Sequence, residues 1–168
     1  MKNEKGFSLI ELLIVVAFIG IIAAIAIPNL LKSRQAANEA SAIGSVRTIG
    51  TAQATYQSTR GKGKDFALTL AVLGPAGDAQ IDGTLAGGDK SGFHFDMAGH
   101  FAVAGGEPSY FDTNAKPQSS GTFGTGNRWF YSNETYVLYG DSTGAIAPPG
   151  APSGGTRVPA AATAQPIE

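Results

Sequence analysis

One carboxylate stands inside the longest apolar run of this chain. From Phe7 to Leu31 the sequence reads FSLIELLIVVAFIGIIAAIAIPNLL, and Glu11 is its single charged residue. An acid in a membrane layer costs roughly 2.5–3.5 kcal/mol on insertion scales, and such a group is a functional candidate that needs a partner. The chemistry on offer is charge pairing. A cut before Phe7 would place a new α-amino group four residues from Glu11. An amine and a carboxylate from adjacent chains would then neutralise each other in the apolar layer and set the register of one subunit against the next. The plainer alternative is a Glu11 near the interface that snorkels toward water at little cost.

The other chemical groups form weaker patterns. His94 and His100 lie near Asp96, and an extended strand would put His94 and Asp96 on one face. One acid beside two histidines falls short of a convergent ligand set. Asp78, Asp82 and Asp89 do not follow calcium-loop spacing. Gly61-Lys62-Gly63-Lys64 lacks the leading glycine of a phosphate loop, and Asp65 stands where Ser or Thr would hold magnesium. In Gly121–Gly126 the pair Gly124-x-Gly126 lacks the third glycine of a dinucleotide fingerprint, where Trp129 stands, and no Gly-x-Ser-x-Gly elbow occurs. Cysteine is absent, which excludes disulfides and thiolate chemistry. Asn133-Glu134-Thr135 is a formal glycosylation sequon, and Trp129 with its neighbouring tyrosines reads as packing. The expectation is a non-enzyme with no catalytic residue, no metal and no cofactor.

Residues 7–31 would form a helix of about 37 Å, enough for a bilayer core of about 30 Å. A cleaved secretory signal would have a shorter apolar region, and no clean Ala-x-Ala exit follows this run before the next helical segment. The hexapeptide Gly6-Phe7-Ser8-Leu9-Ile10-Glu11, followed by an apolar helix containing Gly20 and Pro28, resembles the class III signal of type IV pilins and type II secretion pseudopilins. The resemblance implies removal of residues 1–6 as a leader by a prepilin peptidase, between Gly6 and Phe7. It implies N-methylation of Phe7 and a subunit-docking role for Glu11. It further implies an inner-membrane precursor with its C-terminal head on the periplasmic side, and then a surface filament. The implied partners are other copies of the chain, the peptidase, inner-membrane pilus or secretion machinery, and membrane lipid before assembly. Two weak points, Gly20 and Pro28, cost a helix about 1 and 3 kcal/mol. In the family, the similar stretch loses helicity on assembly; a simple kink at Pro28 is the alternative. A calcium loop found in major pseudopilins is not recognisable here.

What must carry these residues is a long helix. After Pro28, the residues Leu30, Leu31, Ala36, Ala37, Ala40, Ile43, Val46, Ile49, Gln53 and Tyr56 recur at three- and four-residue steps. Residues 32–60 are therefore expected to continue the helix as an amphipathic stem, ended by Arg60–Lys64. Residues 61–147 read as a head. Leu68–Leu73 suits a short helix, and Gly74–Gly88 a loop. Strands are expected at Phe93–Ala98, at Phe101–Ala104 after a turn at Gly99, at Ser109–Thr113, and at Arg128–Ser132 and Thr135–Tyr139 around a two-residue turn Asn133-Glu134. Residues 148–168, rich in Pro, Ala and Gly, are expected to be disordered. The fold class is α+β and pilin-like: one long N-terminal helix, transmembrane in its first half and amphipathic in its second, packed on a small antiparallel sheet.

Charge is segregated along this plan. Residues 32–64 carry net +5 and residues 65–168 net −6, within a total of −1. Such a balance does not imply a nucleic-acid partner. A basic stem and an acidic head would attract between copies, unless the charges serve only solubility. The leading functional expectation is a structural subunit of a type IV pilus. The alternatives are a type II secretion pseudopilin and, more remotely, a single-pass membrane-anchored binding module.

Overall fold

The computed structural model describes residues 6–104, 106, 108–144, 157 and 163–167. Helix α1 runs from Leu9 to Thr59 without a break, a rod of about 77 Å. It starts where Ser8 turns extended. It ends in Lys62 and Gly63, both at positive φ, and the N–H of Gly63 bonds back to the carbonyl of Gln57. Two four-residue helices follow, α2 (Leu70–Leu73) and α3 (Gly83–Ala86). The second falls inside the stretch expected to be loop. Asp82 starts it by accepting the N–H of Leu85, a local capping signal that a glycine-rich context hides.

Six strands form one antiparallel sheet in sequence order: β1 (Asp89–Lys90), β2 (Phe93–His100), β3 (Tyr110–Pro117), β4 (Trp129–Asn133), β5 (Tyr139–Asp141) and β6 (Gln165–Pro166). The turn between β1 and β2 uses Ser91 and Gly92, both at positive φ, as a tight hairpin requires. β2 and β3 pair over their whole length, from Phe93 opposite Pro117 to His100 opposite Tyr110. The core lies between sheet and stem: Val46 and Ile49 of α1 join Leu70, Leu73, Ile81, Leu85, Phe93, Phe95, Phe130 and Leu138. The long helix packed on a small antiparallel sheet is the pilin-like α+β arrangement that the sequence implies.

Four more local readings change. Gly99 is no turn but lies inside β2. A Cβ there would sit 2.2 Å from the carbonyl oxygen of Ala67, so the glycine admits the 65–68 segment against the strand edge. Residues Phe101–Ala104 form no strand; Phe101 and Val103 are exposed and bury nothing. Asn133-Glu134 is not a two-residue turn, because β4 pairs with β5 at Tyr131 opposite Tyr139. The Asn133 side chain accepts from the N–H and hydroxyl of Thr135, and this Asx turn widens the connection so that Leu138 reaches the core. Asn133 is itself fully buried, with its amide donated to the carbonyl of Arg157, so the sequon is structural.

The fourth change concerns the segment read as disordered. Much of 148–168 lies outside the described residues, but Gln165–Pro166 pairs with β5 and Ile167 donates its N–H to Leu138. Arg157 is 4% exposed. Its guanidinium holds both carboxylate oxygens of Asp112 at 2.8 and 2.7 Å and an oxygen of Glu134 at 2.7 Å, and it stacks 4.2 Å over the Tyr110 ring. A planar fork of donors matched to a carboxylate is the strongest geometry available to a charged pair. Composition alone missed it because the ties are a single cation, a two-residue strand and one Ile side chain rather than an apolar run. That cover explains why β4 is buried on both faces rather than alternating.

Candidate assembly interface

The site candidates divide between two halves of α1. Its first half is uncovered. Phe7, Leu9, Ile10, Leu12, Leu13, Val16, Phe18, Ile19, Ile21, Ile22, Ile25 and Ile27 are all exposed. None of the most apolar 18-residue window of α1 is buried, and the helix is long and apolar enough to cross a membrane. At roughly 25 cal/mol per Å² this surface strongly favours leaving water, yet none of the described residues of the head packs on it.

Glu11 stands in the first turn of this half. Its carboxylate accepts the N–H of Ser8 at 3.0 Å, and an acid at a helix start also meets the positive end of the helix dipole. Within one chain, then, Glu11 is an end cap for its own helix, and its second oxygen is open to another donor. Gly6 and Phe7 precede the helix in non-helical backbone, with Phe7 83% exposed.

Gly20 and Pro28 lie well inside α1, which stays helical through both. Pro28 has no N–H to give, so the carbonyl of Ala24 lacks its usual partner four residues on. A Cβ on Gly20 would meet nothing within 4 Å; among the described residues no contact requires glycine there. The structure brings Gly6, Phe7 and Glu11 together at one helix end and leaves Gly20 and Pro28 further along the same bare rod.

The second half of α1 is gripped by the head. Its buried face is Gln35, Glu39, Ala42, Ser45, Val46, Ile49, Ala52 and Gln53, while Ala36, Ala37 and Ala40 of the expected stripe face solvent. The upper part of the face is polar because its partner is backbone. Gln35 donates to the carbonyls of Gly121 and Gly124 at 2.7 and 3.1 Å. Asn38 donates to Thr125. Glu39 accepts the N–H groups of Asn127 and Arg128 and the Arg128 guanidinium at 2.7 Å. Burial raises the proton affinity of Glu39, but those three donors outweigh it and hold the carboxyl below its ordinary value. Lower down, the amide of Gln53 bonds reciprocally to the backbone of Ala67 at 3.0 and 2.8 Å. Hydropathy periodicity cannot find such a face; the signal was the i, i+4 spacing of Gln35 and Glu39.

The histidines do not converge. His94 lies between Asp89 at 2.7 Å and Asp96 at 3.2 Å, and its hydrogen bond to Asp89, with the nearby Asp96 charge, raises its pKa against the opposing effect of burial. His100 stacks on Tyr110 instead. Among the described residues, no three acids and histidines are grouped to hold a metal ion.

Comparison with known proteins falls on the same N-terminal stretch. Residues 1–27 match the prokaryotic N-terminal methylation motif, the type IV prepilin signal. The chain is similar to the type IV major pilin protein PilA of Myxococcus xanthus, 46% identical over 65 residues, which is 39% of this chain and 30% of that protein. It is similar to the type IV wide pilus major component PilA4 of Thermus thermophilus, 64% identical over 39 residues, 23% of this chain and 30% of the other. The type II secretion system core protein G of Vibrio cholerae is 32% identical over 57 residues, 34% of this chain and 39% of that one. The matched region thus spans about a third of the length of these curated relatives. No solved structure matches. The chain carries a prepilin signal, and its relatives include both type IV major pilins and a secretion pseudopilin.

Proposed function

We propose that this protein is a structural subunit of a type IV pilus, polymerising through the first half of α1. The observation that carries the reading is the bare apolar rod headed by one carboxylate. In the precursor, the rod lies in the inner membrane with the head on the periplasmic side. Prepilin peptidase cuts between Gly6 and Phe7, and Phe7 is N-methylated. The inner-membrane assembly machinery then moves the rod from lipid into a filament core made of other copies, so that its apolar surface stays out of water throughout.

Glu11 sets the register. Once Gly6 is removed, the Phe7 amine of one subunit meets the Glu11 carboxylate of the next, and the pair is neutral in the apolar layer. Gly20 and Pro28 supply a stretch of α1 that loses helical hydrogen bonds at low cost as subunits pack. The role requires no catalysis and no cofactor. The test is Glu11→Ala: membrane insertion of the precursor persists while filament yield falls at least about tenfold, a register contribution of roughly 1.4 kcal/mol or more. Normal yield would remove Glu11 from docking.

A second reading, a type II secretion pseudopilin with a short periplasmic filament, is favoured by the likeness to protein G. The two separate by location: a pilin is recovered in filaments sheared from the cell surface, and a pseudopilin stays in the envelope.

A further inference from the structure

The loop between β3 and β4 holds a large aromatic side chain in solvent by a rigid mount. Phe123 is 81% exposed. Around it, the N–H of Gly124 bonds the carbonyl of Gly121 and the N–H of Thr125 that of Ser119, while Gly121 takes a positive φ of 97°. A Cβ on Gly124 would lie 2.5 Å from the Ser119 carbonyl oxygen. Gln35, Asn38 and Glu39 fasten the loop to α1 through Gly121, Gly124, Thr125 and Asn127. Such fastening fixes the height of Phe123 along the helix. Gln35 is four residues beyond Leu31, about 6 Å along the axis from the end of the apolar run. Lys32 and Arg34, both exposed, lie in that same interval.

We propose that this loop is a membrane-interface foot: before assembly, Phe123 inserts at the headgroup level of an anionic bilayer, with Lys32 and Arg34 on the lipid phosphates. The inference rests on the reading of residues 7–31 as the embedded segment. An exposed Phe flanked by basic residues buries its ring at the boundary of headgroups and acyl chains, and basic residues beside a membrane span favour an anionic leaflet. Glu39, the acid of this stem region, is buried and paired with Arg128, so it does not oppose the phosphates. The foot would fix the tilt and rotation of the head on the membrane, which a single helix does not.

The absence of cysteine supplies the test. Single variants Phe123→Cys, Val16→Cys and Gln80→Cys of the full chain are labelled with an environment-sensitive fluorophore. They are reconstituted at low density in phosphatidylethanolamine and phosphatidylglycerol vesicles, with quencher-bearing lipids of shallow or deep position. Gln80 is the distal control, because neighbouring Asp78 pairs with Arg60 at the far end of the stem. The expected result is loss of at least about half the emission at 123 with the shallow quencher, none at 80, and quenching at 16 by the deep one. Quenching at 16 with none at 123 overturns the foot and leaves the membrane reading intact; no quenching at 16 overturns that reading itself. Emission at 123 that ignores the lipid quencher but changes with protein density assigns Phe123 to a second copy and likewise overturns the proposal.

Discussion

The two halves of α1 invert the usual relation between hydrophobicity and burial. Residues 9–31 are nearly all apolar and nearly all exposed, whereas the face from Gln35 to Gln53 includes glutamine, glutamate and serine and is buried. Core positions ordinarily take the apolar residues. In the second half the three large buried polar side chains have named partners: Gln35 on two carbonyls, Glu39 on two N–H groups and a guanidinium, Gln53 on both polar groups of Ala67. Polarity there costs little because it is satisfied, and it fixes how the head sits on the rod. In the first half none of the described residues covers the apolar surface. A helix with one partnered half and one bare half belongs in two environments, which is the basis for reading the bare half as the part that passes from lipid to filament.

The covered region should break most sharply at its charged clamp. Arg157→Ala leaves Asp112 and Glu134 facing each other without their cation, and should lower head stability by about 3–5 kcal/mol. Denaturant unfolding followed by Trp129 fluorescence reads this directly. A loss below about 1 kcal/mol would place the pair in the class of surface bridges and undo the account of how residue 157 is held.

The contrast between the halves is tested by one kind of substitution at two places. Ile49→Ala opens a cavity beneath the sheet and should cost about 2–4 kcal/mol in the same assay. Ile22→Ala should change head unfolding by under about 0.5 kcal/mol while reducing filament yield. Equal effects on unfolding would mean that the first half packs on the head after all.

Smaller effects come from titration. Glu39 is held below its ordinary value of 4.5, so its contribution is complete above the unfolded value and fades as pH falls through the folded one. Glu39→Gln should remove that acid-side step from the melting curve. His94 runs the opposite way. Its pKa is raised above 6.5, so its contribution is complete below that value and is lost as pH rises through the folded one. The site is exposed, so this is the smallest effect, and His94→Gln should flatten the stability slope above about pH 6.5.

The parts of the molecule visible in the sequence were those governed by local pattern. The apolar run, the helix end near Thr59, the alternation of Phe93 and Phe95 against His94 and Asp96, and the short helix near Leu70 all follow from period, length and turn chemistry. Glu11 and its neighbours were visible by type and spacing, an acid where none is expected. What stayed hidden depended on partners far along the chain. Arg157 reaches Asp112 across 45 residues, and in a segment of Pro, Gly and Ala it looks like a solvated cation. The polar face of Gln35 and Glu39 is hidden for the same reason, because their partners are carbonyls and N–H groups of a loop some 85 to 90 residues away, and backbone leaves no mark in a hydropathy pattern. The wide turn after Asn133 misled because the side chain of that residue, rather than backbone alone, shapes it.

If the chain is cut just ahead of α1 and the bare half of the helix is then buried among copies of itself, filaments will carry the cut N-terminus. Mass spectrometry of the N-terminus of filaments sheared from the cell surface reads this. The expected result is an abundant species beginning at an N-methylated Phe7. An intact Met1–Gly6 leader in every cell fraction would contradict it and leave α1 as a plain membrane anchor.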